Sequence, residues 1–283
     1  MLKQNLVHSH SMPSILSEPL RIPVITAALR APGRFAIEAL ERCASTSTAL
    51  LERAQQGAAS GSVIVCEQQT AGRGRRGRGW LSAPGDSLTF SLLWRFPDGA
   101  PPPVGLSLAA GVAVARALDA MGAAGVGLKW PNDIVAGGAK LGGVLTENLM
   151  TGGRHAVVIG IGLNVRLPED IAAAVDTPAG AIEAVMPFAP SRNLLLAALL
   201  DSLAGMLDEF MRGGFAVLRE EWMARNVHAD QRVAVFAEAA APVEGRCAGV
   251  DADGALLLET ERGVRRILSG EVSLKPLGPL GPQ

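Results

Sequence analysis

Cysteine and histidine are scarce in this chain, with three of one and four of the other among 283 residues. Cys43, Cys66 and Cys247 are too scattered for a CxxC redox pair or a metal knuckle. An odd, sparse count fits thiols that serve as small core residues in a reducing cytosol. His8, His10, His155 and His228 show no zinc spacing, so no structural metal is implied. An excess of charge is also missing: 26 Lys+Arg stand against 27 Asp+Glu, a net charge of −1. Such a balance suits a small anionic ligand better than a long polyanion. Long hydrophobic runs are absent as well. The first 20 residues contain Lys3 but no continuous apolar segment of the secretory kind. The most apolar stretch, 104–128, is interrupted by Arg116 and Asp119, which argues against a membrane helix. Rich in Ala and Gly, it reads as a buried helix packed closely on a sheet. The expected location is the cytoplasm, with no membrane partner.

What the chain has is a core and one concentrated spot of positive charge. A hydrophobic fraction of 48% with 19% charged residues marks a well-packed globular protein of one or two domains. Residues 72–80 read GRGRRGRGW, after the strand-like run SVIVCEQ. Glycine lets a backbone approach a ligand closely, and arginine offers a planar, permanently charged fork for carboxylate or phosphate. Four cations on one loop repel each other, so the loop is expected to settle only around an anion, as a ligand-ordered lid. Gly72, Gly74 and Gly77 formally match GxGxxG, but Trp80, Ser82, Pro84 and Gly85 follow where a dinucleotide fingerprint needs a helix. A solvated surface loop and a nucleic-acid patch are the plainer alternatives.

Strands are expected at 35–40, 62–67, 88–96, 126–130, 133–135, 140–148 and 155–165, with Gly137 and Gly138 as a hairpin turn. Helices are expected at 48–55 and 106–121. Leu194, Leu195, Leu199, Leu203, Met206, Leu207 and Phe210 recur at helical spacing, and 215–226 suggests one more helix. After residue 228 the texture changes to short strands at 232–236, 243–250, 255–259, 264–268 and 271–274, with DADG as a turn. The main domain is expected to be α/β or α+β, with α+β preferred: a mixed sheet with packed helices, followed by a small β-barrel. The boundaries are a lead-in over 1–34, a main domain over 35–227, the small domain over 228–277 and a tail over 278–283.

Four motifs occur together: GRGRRGRGW, KWPNDI at 129–134, KLGGVL at 140–145 and IGIGLNV at 159–165. In that order and spacing they resemble the biotin–protein ligase family, over roughly 35–276, and the small domain resembles that family's SH3-like domain. The resemblance implies a two-step reaction. The carboxylate of biotin attacks the α-phosphate of ATP, giving biotinyl-5′-AMP and pyrophosphate. A lysine of a biotin carboxyl carrier domain, such as that of acetyl-CoA carboxylase, then attacks the acyl carbon and displaces AMP. Carboxylate and triphosphate repel each other, so cations must screen both and hold them in line. Mg²⁺ on the ATP phosphates shares that task, and no protein ligand to a metal is assigned.

The same resemblance assigns residues. Lys140 and Arg75 are the catalytic candidates: Lys140 to reach both the biotin carboxylate and the α-phosphate, Arg75 to clamp the carboxylate or the adenylate phosphate. Ser45, Thr46, Ser47, Gln69, Gly72, Arg73, Gly74 and Gly143 are biotin-contacting positions beside them, with Gly142 leaving room. Ser47 stands where the family more often has Asn, and residues 45–48 equally read as a helix N-cap. Trp80, Lys129, Asn132, Asp133 and Asn164 are assigned to the nucleotide, Lys129, Asn132 and Asp133 to ATP or its Mg²⁺, while Trp130 is read as packing. Arg76 and Arg78 either close the lid from outside or stand solvated. Lys275 is a weak nucleotide candidate.

Some members of the resembled family carry an N-terminal winged helix, which takes roughly 55 to 60 residues. The proline-broken lead-in is shorter and has no helix-turn-helix pattern, so a monofunctional ligase that does not bind DNA is expected. A homodimer through the central sheet is a further implication of the resemblance. A lipoate or octanoate ligase is the competing enzyme, and a basic nucleic-acid module the competing class.

Overall fold

A computed structural model describes residues 18–151, 154–175, 177–237, 241–268 and 272–276. Runs of β-branched and aliphatic residues form the central sheet: β1 (Ala36–Cys43), β2 (Ser62–Gln69), β5 (Ser87–Arg95), β6 (Gly127–Lys129), β7 (Asp133–Ala136), β8 (Ala139–Thr151) and β9 (Arg154–Asn164). Their order is β1-β2-β5-β9-β8-β7-β6, with β1 and β2 parallel and the other pairs antiparallel. Between β2 and β5 lie two short strands, β3 (Gly72–Arg73) and β4 (Gly79–Trp80), which pair with each other.

One face of the sheet is apolar along its length. Leu88, Phe90 and Leu92 of β5 and Ile159, Ile161 and Leu163 of β9 are buried there beneath α3 (Leu106–Ala120) and α5 (Arg192–Gly213). The small side chains of α3 allow a close approach: a β-carbon on Gly111 would lie 3.4 Å from Leu128. Arg116 on α3 is not a stray charge. It reaches Glu209 of α5 and Glu221 of α6 (Arg219–Ala224), and these carboxylates raise its basicity further. The other face is covered only in part, by α2 (Thr46–Gln55), whose Leu50 and Ala54 pack on Ile64, Leu93 and Val158. The uncovered remainder of that face is where the polar motifs gather.

Three expectations need correction. The proline-broken lead-in holds a helix: Pro23 lies in the first turn of α1 (Ile22–Ala28), and Ile25 is fully buried against the core. Burial of one such side chain contributes about 2 kcal/mol, which proline counting misses. The helix expected at 215–226 is a 3₁₀ turn, Gly214–Leu218, running into α6. The helix expected from 48 begins at Thr46, capped by Ser45.

The C-terminal strands are β10 (Arg232–Ala237), β11 (Val243–Val250), β12 (Leu256–Thr260), β13 (Gly263–Ile267) and β14 (Val272–Pro276). They form an antiparallel sheet of order β13-β12-β11-β10-β14. Val233, Val235, Val250, Leu256 and Leu258 share one continuous core with the main sheet. The turn at 251–254 also touches it: the Trp130 indole N–H, 1% exposed, donates to the Gly254 carbonyl at 3.1 Å. Trp130 is therefore a packing residue. The tail over 278–283 lies outside the described residues, as does the side chain of Lys275. Among the described residues no helix is long and apolar enough to cross a membrane.

Candidate active site

Directly opposed residues of antiparallel strands present their side chains to the same face. The pairings Cys66–Thr89, Thr89–Gly162, Gly162–Gly143, Gly143–Asp133 and Asp133–Lys129 therefore form one row across the sheet, on the face that α2 leaves open. The neighbouring row runs Ile64, Ser91, Gly160, Leu145. Glycine at 143, 160 and 162 clears a trough through the centre of both rows. Side chains from elsewhere fill it. A β-carbon at Gly162 would come within 2.5 Å of the Trp80 indole, and one at Gly160 within 2.5 Å of Ser47 Oγ. The Lys140 amine passes 3.6 Å from the corresponding point at Gly143.

At one end of the trough the first turn of α2 presents hydroxyls. Ser45 accepts from the Thr48 N–H at 3.5 Å as the N-cap. Gln69 Oε1 accepts from both the N–H and the hydroxyl of Thr46, at 2.8 and 3.1 Å. Ser91 Oγ lies 2.8 Å from Thr46 Oγ1 and 3.1 Å from Ser47 Oγ. This buried cluster of donors and acceptors is the kind of wall that selects a ligand carrying both. Ser91 was missed by the sequence reading. The signal that could have found it is the alternating hydroxyls Ser87, Thr89 and Ser91 on one face of β5.

At the other end the charges gather. Lys140 Nζ lies 2.5 Å from Asp133 Oδ1, with the two side chains 31% and 18% exposed. The Lys140 backbone is fixed on both sides, its N–H to Pro178 O and its carbonyl by Gly180 N–H at 2.9 Å. Asn164 Nδ2 reaches the same Lys140 carbonyl at 3.4 Å and Gly180 O at 3.1 Å. The Asn132 side chain donates to Val144 O at 2.8 Å, and its carbonyl accepts from Val144 N–H, which locks the KWPND turn onto β8. Lys129 closes the row at the sheet edge.

The arginine loop is a tight hairpin. Gly72 opposes Trp80, and Gly74 N–H donates to Arg78 O at 2.7 Å. A side chain at Gly72 would strike Trp80 O at 2.4 Å, so only glycine fits there. Arg76 takes a left-handed φ of 59° at the tip. The expectation that only an external anion settles this loop is corrected, because the chain supplies counter-charges itself. Arg73 is ion-paired with Glu147 on β8 and donates to Thr48 Oγ1 at 3.2 Å. Arg75 is half-buried; burial first and Arg76 second lower its pKa from the ordinary guanidinium value, while Asp133 pulls it back up. Arg73 thus anchors the loop to the protein, whereas Arg75 faces the Asp133–Lys140 end. Glu147, a second residue missed in the sequence, keeps its other carboxylate oxygen buried without a partner. The Trp80 indole N–H is likewise buried without a partner.

Among the described residues no three His, Cys, Asp or Glu side chains converge. A hollow of about 320 Å³ between β1, β2 and α2 lies away from the trough, rimmed by the Glu38–Arg53 ion pair. It brings none of the motif residues together.

His228 sits where the two sheets join, 7% exposed, with Nδ1 buried and unpartnered. Burial first and the nearby Lys129 second push its pKa down to about 4. The folded state therefore holds a neutral imidazole that the unfolded chain protonates near pH 6.5. Stability should be complete above pH 6.5 and fall as pH drops toward 4, by about 3 kcal/mol from this group. Thermal melts between pH 8 and 4.5 should show a steeper acid loss in the wild type than in His228→Gln. Parallel curves would remove His228 as the source.

The chain is similar to known proteins over most of its length. Residues 39–164 match the model of the Biotin/lipoate A/B protein ligase family, and residues 228–275 that of the Biotin protein ligase C terminal domain. It is 36% identical over 238 residues to the Bifunctional ligase/repressor BirA of Salmonella typhimurium, covering 82% of this chain and 72% of that protein. It is 35% identical over 242 residues to the Biotin–[acetyl-CoA-carboxylase] ligase of Mycobacterium tuberculosis, covering 83% and 88%. Among solved structures, the biotin protein ligase from Aquifex aeolicus in complex with biotin and ATP superposes with a TM-score of 0.71 at 29% identity, over 85% of this chain and 99% of that one.

Proposed function

The chain belongs to the biotin–protein ligase family, and we propose that it activates biotin with ATP and transfers it to a lysine of a biotin carboxyl carrier domain. One observation carries the residue-level reading. The glycine-cleared trough joins a neutral hydroxyl and amide cluster (Thr46, Gln69, Ser91) to a charged end (Lys140, Asp133, Arg75). A ligand with a ureido ring at one end and a carboxylate at the other matches both.

In the first step a carboxylate oxygen of biotin bonds to the α-phosphorus as the bond to pyrophosphate breaks. The Lys140 ammonium, steadied by Asp133, offsets the charge that builds on the phosphorus oxygens. Arg75 holds the adenylate, and Trp80 covers it. In the second step the carrier lysine amine attacks the acyl carbon, AMP leaves and an amide forms. Asn132 and Asp133 are the residues that would help hold a phosphate-bound Mg²⁺, which would supply charge neutralisation on the triphosphate. A homodimer and a cytoplasmic location belong to the same proposal.

Biotin transfer from ATP to a purified carrier domain tests the function. ATP–pyrophosphate exchange stimulated by lipoate instead of biotin would favour the competing ligase. Arg75→Ala is expected to release the adenylate about tenfold faster, the loss of one charge-assisted contact. The measurement is free adenylate appearing from purified protein, and release at the wild-type rate would remove Arg75 from this role.

A further inference from the structure

We propose that Arg192 is a positioning residue for the ligand loop, a buried guanidinium that staples the two strand ends from which residues 70–86 emerge and ties both to the N-terminal segment. The inference rests on the ligase reading of that loop. The β2–β5 ladder ends at the pair Cys66–Thr89. Past that pair the strands part, and the arginine hairpin hangs from their ends.

Arg192 opens α5 on the far face of the sheet, its side chain 2% exposed. Its Nη1 donates to Glu67 Oε2 at 2.7 Å and to Ser87 O at 3.3 Å. One nitrogen thus joins the residue after Cys66 to the residue two before Thr89, where the ladder no longer does. Its Nη2 donates to Glu18 O at 2.9 Å, and the second oxygen of Glu67 accepts from Leu20 N–H at 2.6 Å. The fully buried Asn193 holds the same segment, accepting from Arg21 N–H at 2.8 Å and donating to Pro19 O at 3.1 Å.

Both stapled strand ends lead straight to the site. Two residues beyond Glu67, Gln69 orders Thr46. Ser87 is paired with Asn164, which holds the Lys140 carbonyl. A planar fork can satisfy several acceptors in fixed directions, whereas a lysine in its place would hold fewer and hold them loosely. Ligand groups displaced by about 1 Å lose a large part of their rate advantage.

The test compares full-length Arg192→Lys and Glu67→Gln proteins with the wild type at a temperature where all are folded. Expected are a KM for biotin raised about tenfold with a smaller change in kcat, adenylate release faster by a similar factor, and tryptic cleavage at 73–78 that biotin and ATP no longer suppress. A lower melting temperature with wild-type KM, release and loop protection would make Arg192 merely structural and overturn the proposal. If Arg192→Lys does not fold, the shape-preserving Glu67→Gln decides by the same readouts. Wild-type protein without biotin-stimulated exchange would overturn the ligase reading and this proposal together; wild-type exchange with unaltered variants overturns this proposal alone.

Discussion

Lys140→Ala should lower the rate of adenylate formation by about 10²- to 10³-fold, the usual cost of deleting one preorganised charge donor at a reacting centre. Biotin binding should weaken far less, because the hydroxyl and amide cluster lies at the other end of the trough. The fold should survive. Lys140 is bound into β8 by its backbone, and its partly exposed ion pair with Asp133 is worth no more than about 1 kcal/mol. Removing the amine leaves Asp133 without its partner beside the incoming phosphates, so the loss combines missing attraction with new repulsion. Lys140→Ala/Asp133→Asn should therefore recover part of the rate. The check is biotin-dependent ATP–pyrophosphate exchange for both variants. Unchanged exchange in the single variant would take Lys140 out of the reaction.

Gly162→Ala should cost activity far more than stability. The new methyl would stand 2.5 Å from the Trp80 indole, in the middle of the trough, so the indole and any ligand packed against it must move. Adenylation should fall by about 10²-fold, the scale set by misplacing reacting groups by about 1 Å. Stability should fall only modestly, by about 1–2 kcal/mol, because the backbone freedom that alanine saves in a strand offsets part of the cost of moving the indole. Melting temperature and exchange rate, measured on one preparation, decide the matter. Activity within twofold of wild type would mean that ligands do not lie along this row.

How much of this was legible in the sequence follows from the range of each interaction. The strands, the long α5 and the alternating glycines of IGIG are local patterns, and the structure has them within a few residues of the expected bounds. Lys140 and Asp133 each stand out through linked motifs, but the ion pair between them is a contact that the motifs do not announce. Ser91 and Arg192 act through partners far along the chain; alternating hydroxyls along β5 hint at Ser91, but nothing near Arg192 in the sequence announces its role. The loop was misjudged for the same reason. Its charges were counted in isolation, while Glu147, the group that relieves one of them, lies on a different strand. The N-terminal lead-in failed in the opposite sense: its prolines were read as breakers, although Pro23 begins a helix.

The hydrocarbon interior shared by the main sheet and the C-terminal strands, with the Trp130–Gly254 hydrogen bond across it, bears on how a macromolecular substrate can be served. Swinging the small domain aside would expose that interior to water, so the two parts behave as one body and melt in one step. A carrier's lysine is then expected to reach the site by its own mobility, since the two parts do not open to admit it.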